Sequence, residues 1–304
     1  MVWAGGTMGE RIHAIRSDSR RMLGTQHVRT ELHCHTTASD GRHTPAEVVR
    51  LAHQRGVALL AITDHDTLAG NEEAASVGQA LHVQVIRGVE ISALSPGGEV
   101  HVLGYGVQPR DPETQARFDA LRGVREARAR AILDKLAGLG IHIPFARVRA
   151  LAGDAVIGRP HVARAMVEAG VVATQNEAFD LYLGEGKPAF VAHLGLTPVQ
   201  AVQLIHAAGG LAVLAHPGLY LGDLADLIDE LVAAGLDGLE AFYPLHTPEQ
   251  VESFVRIARA RNLLLTGGSD FHGLEGEGAA SLGSVSPPES EVAALLDRLG
   301  HALC

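Results

Sequence analysis

Two short segments set nitrogen and oxygen donors two residues apart: His33 and His35 in "HCHTTASDG", and Asp270 and His272 in "GSDFHG". Side chains alternate along an extended chain, so each pair shares one face, while Cys34 points to the other. Two donors on one face, within reach of one ion, suit a metal site. Further imidazoles and carboxylates fall in or just after apolar runs: Asp40, His65 in "AITDHD", Glu90 in "GVEIS", His101 in "VHVLGYG" and His216 in "AHPG". Such N/O donors suit Mn, Zn or Fe, and a carboxylate such as Glu90 can bridge two ions. Nine donors exceed what one ion takes, so two or three divalent ions are implied. Asp64 and Asp66 flank His65 and are expected to orient imidazoles from behind rather than to bind metal. Three ligand carboxylates carry about −3 against about +4 to +6 from the ions, and a net positive pocket favours an anion, phosphate above all. The ions would lower the pKa of a water between them towards ~7 and stabilise charge building on phosphorus.

The elements that must carry these donors are legible from helix starts. "TPAEVVRLAHQRG" from Thr44, "TPVQAVQLIHAAGG" from Thr197 and "TPEQVESFVRIARARN" from Thr247 each place Thr as cap, Pro at the first helical position and Glu or Gln three residues after the cap. Each leads into a short apolar run that reads as a buried strand: "VALLAIT", "LAVLA" and "LLLTG". Further strands are expected at "VQVIRGVEIS", "VHVLGYG" and "GLEAFY". Strands alternating with helices argue for parallel β/α units, and reactive residues beginning where strands stop are the pattern of a barrel's C-terminal face.

The chain is expected to divide into a leader over 1–27, a first barrel part over 28–107, a helical insertion over 108–195 covering the site, and a second barrel part with a C-terminal helix over 196–304. The insertion opens with the charged stretch "ETQARFDALRGVREARARAILDKLAGLG", and "REARARAILDK" reads as a solvated basic face that would guide RNA if RNA is a substrate. Length and an apolar content of 46% fit one sizeable core. The formal net charge of −10 argues against broad binding of nucleic acid or membrane. Two cysteines make no disulfide framework, and with no signal-like or spanning apolar run the expected location is cytoplasmic. No GxSxG elbow or GxxxxGK[ST] loop is present.

"HCHTTASDG", "AITDHDTLAG", "GVEIS", "HVLGYG", "AHPG" and "GSDFHG" together resemble the successive motifs of the PHP (polymerase and histidinol phosphatase) family, over about residues 28 to 273. The resemblance implies a distorted (β/α)7 barrel with two or three divalent ions, Mn foremost, with Zn or Fe as alternatives. Carried onto this chain, one ion would take His33, His35, Glu90 and Asp270. A second would share Glu90 and add His101 and His216; a third would use Asp40, His65 and His272. "GRPHVARAM" followed by "YLGEGKPAFV" is similar to a subgroup of 3′,5′-nucleotide bisphosphatases, which remove the 3′-phosphate, with relatives that trim RNA from its 5′ end. The implied partner is a small phosphorylated nucleotide or short RNA, with no membrane and no obligate protein partner. Arg159, His161 and Lys187, with His272, become candidates for gripping the substrate, since Arg159-Pro160 opens a helix whose amides favour an anion and Arg pairs with phosphate bidentately. Asp270 and His272 are the candidate catalytic pair, with His272 or a neighbouring acid protonating the leaving alkoxide. The chain departs from the subgroup after "AHPG", where Leu219-Tyr220 stands in place of an expected Arg-Tyr. The competing readings are a histidinol-phosphate phosphatase and a non-catalytic, metal-stabilised PHP module.

Overall fold

The computed structural model describes residues 29–193, 195–274 and 280–302; the leader expected over 1–27 lies outside them. Seven strands form one sheet in the order β1 to β7: β1 (Arg29–Glu31), β2 (Val57–Ile62), β3 (Gln84–Ser95), β4 (Gly98–Tyr105), β5 (Leu211–Leu214), β6 (Gly238–Phe242) and β7 (Leu264–Gly267). β1, β2 and β3 run parallel, as do β5, β6 and β7. Between them β4 is antiparallel to both neighbours. The expectation of parallel β/α units therefore fails at one strand. The two residues between β3 and β4, Pro96 and Gly97, are too few for a crossover helix, and only a hairpin can join strands so close.

The three Thr-Pro starts form α1 (Pro45–Gln54), α7 (Pro198–Ala207) and α9 (Pro248–Ala260), each with a reciprocal capping box at Thr44, Thr197 or Thr247. Together with α2 (Asn71–Leu81) and α8 (Leu224–Ala233) they cover the outer face of the sheet. Leu32, Leu59, Leu103, Tyr105, Val213 and Leu264 fill the inner side, where Leu295 and Leu299 of the last helix, α10 (Glu289–Ala302), pack. Each such buried Leu contributes roughly 1.5–3 kcal/mol relative to exposure.

From Pro112 to Leu183 the elements are helical: α3 (Pro112–Gly138), α4 (Phe145–Ala152), α5 (Arg159–Glu168), the short α6 (Gln175–Ala178) and a π-turn, Phe179–Leu183. They bury an apolar cluster of their own that includes Ile132, Leu136, Val148, Val162 and Met166.

The strands themselves stop short of closing the barrel. β1 ends at Glu31, so His33 and His35 lie beyond it, and Cys34 makes an isolated parallel bridge to Phe271 beyond β7. The His35 N–H donates to the Phe271 carbonyl at 2.8 Å, and the Phe271 N–H donates to the His33 carbonyl at 3.3 Å. This seam lays the two donor pairs of the sequence side by side.

Candidate metal centre

The seam is tight. A Cβ on Gly268 would come within 2.5 Å of the His33 nitrogen, and one on Gly41 within 2.5 Å of the His35 carbonyl oxygen, so neither position admits a side chain without movement. Asp270 and Asp66 take a left-handed φ of 53°, and His216 one of 26°, at the turns where strands end. Non-glycine residues held there are rare and cluster at functional sites.

All nine sequence-derived donors converge on this mouth. Ring centroids of His35 lie 5.3 Å from His33, 4.5 Å from His65 and 4.1 Å from His272; His101 lies 5.0 Å from His65 and 5.2 Å from His216. Glu90, 1% exposed, sits at the centre. Its Oε2 is 3.3 Å from His33 Nε2, 3.2 Å from His35 Nε2 and 3.1 Å from His65 Nδ1. Its Oε1 is 2.8 Å from His101 Nδ1 and 3.1 Å from His216 Nε2. Three groups place donor atoms within 4.8 Å of one another: His33, His35, Glu90 and Asp270; His65, Glu90 and His101; and His35, Asp40, His65 and His272. The first is the set expected from sequence. In the second, His65 joins Glu90 and His101, while His216 meets the same Glu90 oxygen as His101 at 3.1 Å, and in the third His35 joins. His65 serves both because Nδ1 faces Glu90 while Nε2 is 3.9 Å from Asp40.

These donors fit divalent metal. His33 Nε2, both nitrogens of His35, Nδ1 of His65, Nδ1 of His101 and Oδ1 of Asp270 are buried with no hydrogen-bond partner. Buried polar atoms seldom go unpaired, and imidazoles this close cannot all be charged. Lone pairs of neutral imidazoles aimed at carboxylates leave a place for cations. Without a cation, protons take it. Burial alone would lower His101 and His272, but Glu90 and Glu99 push the first up to about 10, and Asp270 and Asp40 push the second to about 10. Burial would likewise raise Asp40, Glu90 and Asp270, yet the facing imidazoles hold all three well below the usual carboxylate range.

A layer of groups behind fixes the donors, and sequence reasoning missed most of it. His33 Nδ1–H donates to Glu240 Oε1 at 2.9 Å, and Glu240 Oε2 accepts from the His216 N–H at 2.8 Å. The Tyr243 hydroxyl donates to Asp270 Oδ2 at 3.0 Å. "GLEAFY" reads only as a strand, and alternation alone gives no sign that Glu240 points inward. Asp64 and Asp66 do not orient imidazoles as expected. Asp64 accepts from Thr36 and Ser39 and so shapes the loop carrying Asp40. Asp66 accepts from the Ser92 N–H at 2.9 Å and pairs with Arg125. His272 spends both ring nitrogens within the site: Nδ1–H donates to the Asp270 carbonyl at 2.8 Å and Nε2 faces Asp40 at 3.4 Å. With Nδ1 fixed in this way, Nε2 is turned towards Asp40, as a ligand role requires.

Beside the ions' place lies a group of arginines. Arg125 and Arg128, from the stretch read as a solvated face, are each 7% exposed and turn inward. α3 presents them to the barrel because Asp66, Ser92 and Glu99 wait there as acceptors. Arg159 contacts Glu99 at 3.2 Å and lines a cavity of about 170 Å³ with Asp40, His65, His101 and Phe179. Burial and the neighbouring arginines lower its pKa. His161 is buried and its Nδ1 accepts the Gly158 N–H at 3.0 Å, so it holds the turn before Arg159 rather than facing the cavity. Lys187 is exposed and outside that wall. Leu219, where Arg was expected, lines a neighbouring cavity of about 160 Å³ with Arg159, His101 and His216, while the Tyr220 hydroxyl bonds Ser95. A larger cavity of about 600 Å³ lies on the far side of Asp66, where Arg87 pairs with Glu72; none of the nine donors lines it. Among the described residues no helix is long and apolar enough to cross a membrane.

A family model described as "PHP domain" matches residues 31–143. The chain is 40% identical to a 5′-3′ exoribonuclease of Haemophilus influenzae over 80% of its own length and 89% of that protein. It is 37% identical to a 3′,5′-nucleoside bisphosphate phosphatase of Chromobacterium violaceum, over 83% of its own length and 90% of the relative. A solved structure from Bifidobacterium adolescentis, assigned as a metal-dependent phosphoesterase, superposes with a TM-score of 0.80 at 32% identity, covering 88% of this chain and 95% of that one.

Proposed function

Because this chain belongs to the PHP family of metal-dependent phosphoesterases, we propose that it removes the 3′-phosphate from nucleoside 3′,5′-bisphosphates, with Mn as the resident ion. The observation that carries this reading is the placing of two anion-attracting positions side by side. One is the ring of nine donors; the other is Arg159, whose contact with its carboxylate is the longest of the three arginines at 3.2 Å and whose side chain is 24% exposed. A substrate with two phosphates can fill both, whereas a monophosphate leaves one unused. The 3′,5′-nucleoside bisphosphate phosphatase relative supports the same choice.

In this reading the nine donors His33, His35, Asp40, His65, Glu90, His101, His216, Asp270 and His272 hold the ions. When bound, the ions supply an activated water and neutralise charge on the transferring phosphoryl group. Arg159 takes the second phosphate through its planar fork and so orients the nucleotide. Arg125 and Arg128, neutralised and held by Asp66 and Glu99, form a fixed wall that leaves Arg159 as the surplus positive charge. Phe179, near the Arg159 guanidinium at 5.8 Å, gives the nucleoside an apolar surface. His161 keeps Arg159 in place through Gly158.

The test is a phosphate-release screen with Mn, comparing adenosine 3′,5′-bisphosphate, 5′-AMP, histidinol phosphate and a short 5′-phosphorylated RNA. The bisphosphate is expected to be the best substrate, with trimming of the RNA as a related activity in line with the exoribonuclease relative. Release from histidinol phosphate alone would overturn the substrate assignment.

A further inference from the structure

Glu99 stands between the two halves of the site. It lies on β4 two residues before His101, on the same face, with its side chain 14% exposed. Oε1 is 3.5 Å from His101 Nε2 and accepts from Arg128 Nη1 at 3.0 Å. Oε2 accepts from Arg128 Nη2 at 2.8 Å and faces Arg159 Nη2 at 3.2 Å. Arg128 is tied on its other side by Nε donating to the Val191 carbonyl at 2.9 Å. His101 turns its unpartnered Nδ1 to Glu90 and the place of the ions. Arg125, Arg128 and Arg159 bring three positive charges, Asp66 and Glu99 two negative ones, and the remaining positive charge falls to Arg159, the least held.

We infer that Glu99 is a positioning residue that couples metal and phosphate: it holds the His101 Nε2–H so that Nδ1 faces the ion, and occupies Arg159 until a phosphate takes it. The inference rests on the metal-centre reading above. With one carboxylate serving both, a phosphate that draws Arg159 away leaves Glu99 less neutralised and strengthens its hold on His101. The two ligands are then linked, and the linkage is reciprocal.

The coupling has a signature that a purely structural role lacks, because the two affinities move in opposite directions. Glu99→Gln should weaken one bound Mn by about 10–100-fold, the usual cost of losing a carboxylate behind a histidine ligand. It should at the same time tighten inorganic phosphate on the metal-free protein by about fivefold, since no carboxylate competes for Arg159. Both are read by titration calorimetry, with metal content by elemental analysis. His101→Ala is the control and should lose the same ion. If His101→Ala keeps the full metal complement, the metal-centre reading itself fails. If His101→Ala loses an ion while Glu99→Gln binds Mn as the parent does, or binds phosphate no more tightly, the role of Glu99 is overturned. Should Glu99→Gln lose its cooperative melting transition, Glu99→Asp replaces it. That variant keeps the charge at shorter reach and should weaken the same ion while leaving phosphate unchanged; parental Mn affinity there would equally overturn the inference.

Discussion

Asp270 meets three demands at once. Its Oδ1 lies 3.3 Å from His33 Nε2 and 3.0 Å from His35 Nε2, its Oδ2 accepts from Tyr243, and its carbonyl fixes the tautomer of His272. Asp270→Ala is therefore expected to lose metal and activity together, measured by elemental analysis and phosphate release; retention of both would remove it from the centre. Tyr243→Phe keeps the carboxylate but frees one oxygen, and should weaken metal by about 10-fold with the fold intact. Glu31 shows how far the support extends. Burial raises its carboxyl to about 7, against donors from Ser269, Gly283 and the His33 N–H. It ties the segment before His33 to the one before Asp270.

At the scale of elements, labour is divided. The nine donors all lie outside 108–195, and Arg125, Arg128 and Arg159 all lie within it. The helices of that stretch have their own apolar cluster, so loosening them is expected to spare the donors. Met166, fully buried in that cluster, is the place to test this. Met166→Ala should cost about 2–5 kcal/mol, felt first in the helices. The expected outcome is faster proteolysis within 108–195 and a raised KM, with metal content unchanged. Loss of metal in step with KM would refute the division.

For the whole molecule, the centre trades protons for metal. In the metal-free protein His101 and His272, pushed to about 10, keep their protons at neutral pH. Loading must expel them, so metal affinity should rise with pH until about 10 and protons should be released at pH 8. Calorimetry in buffers of differing ionisation enthalpy reads this directly, and no net release would refute it. The same shifts affect stability. A histidine whose folded pKa exceeds its unfolded value of about 6.5 stabilises fully below that pH and loses its contribution as pH climbs towards about 10. The metal-free protein should thus melt at progressively lower temperature from pH 7 to 10, while the loaded one is spared.

The sequence by itself determined the kind of chemistry, because metal donors are a short list of residue types and their alternation in extended segments reveals a shared face. It likewise determined the helix starts, because Thr-Pro caps act within one turn. That His65 reaches both Glu90 and Asp40, and that β4 runs backwards, were decided by the closing seam and the hairpin. Only the tertiary structure turned Arg125 and Arg128 inward and set Glu240 and Glu99 behind histidines. The physical reason is range: caps and alternation act over a few residues, whereas a buried charge takes its direction from a partner far along the chain, as His33 does from Glu240.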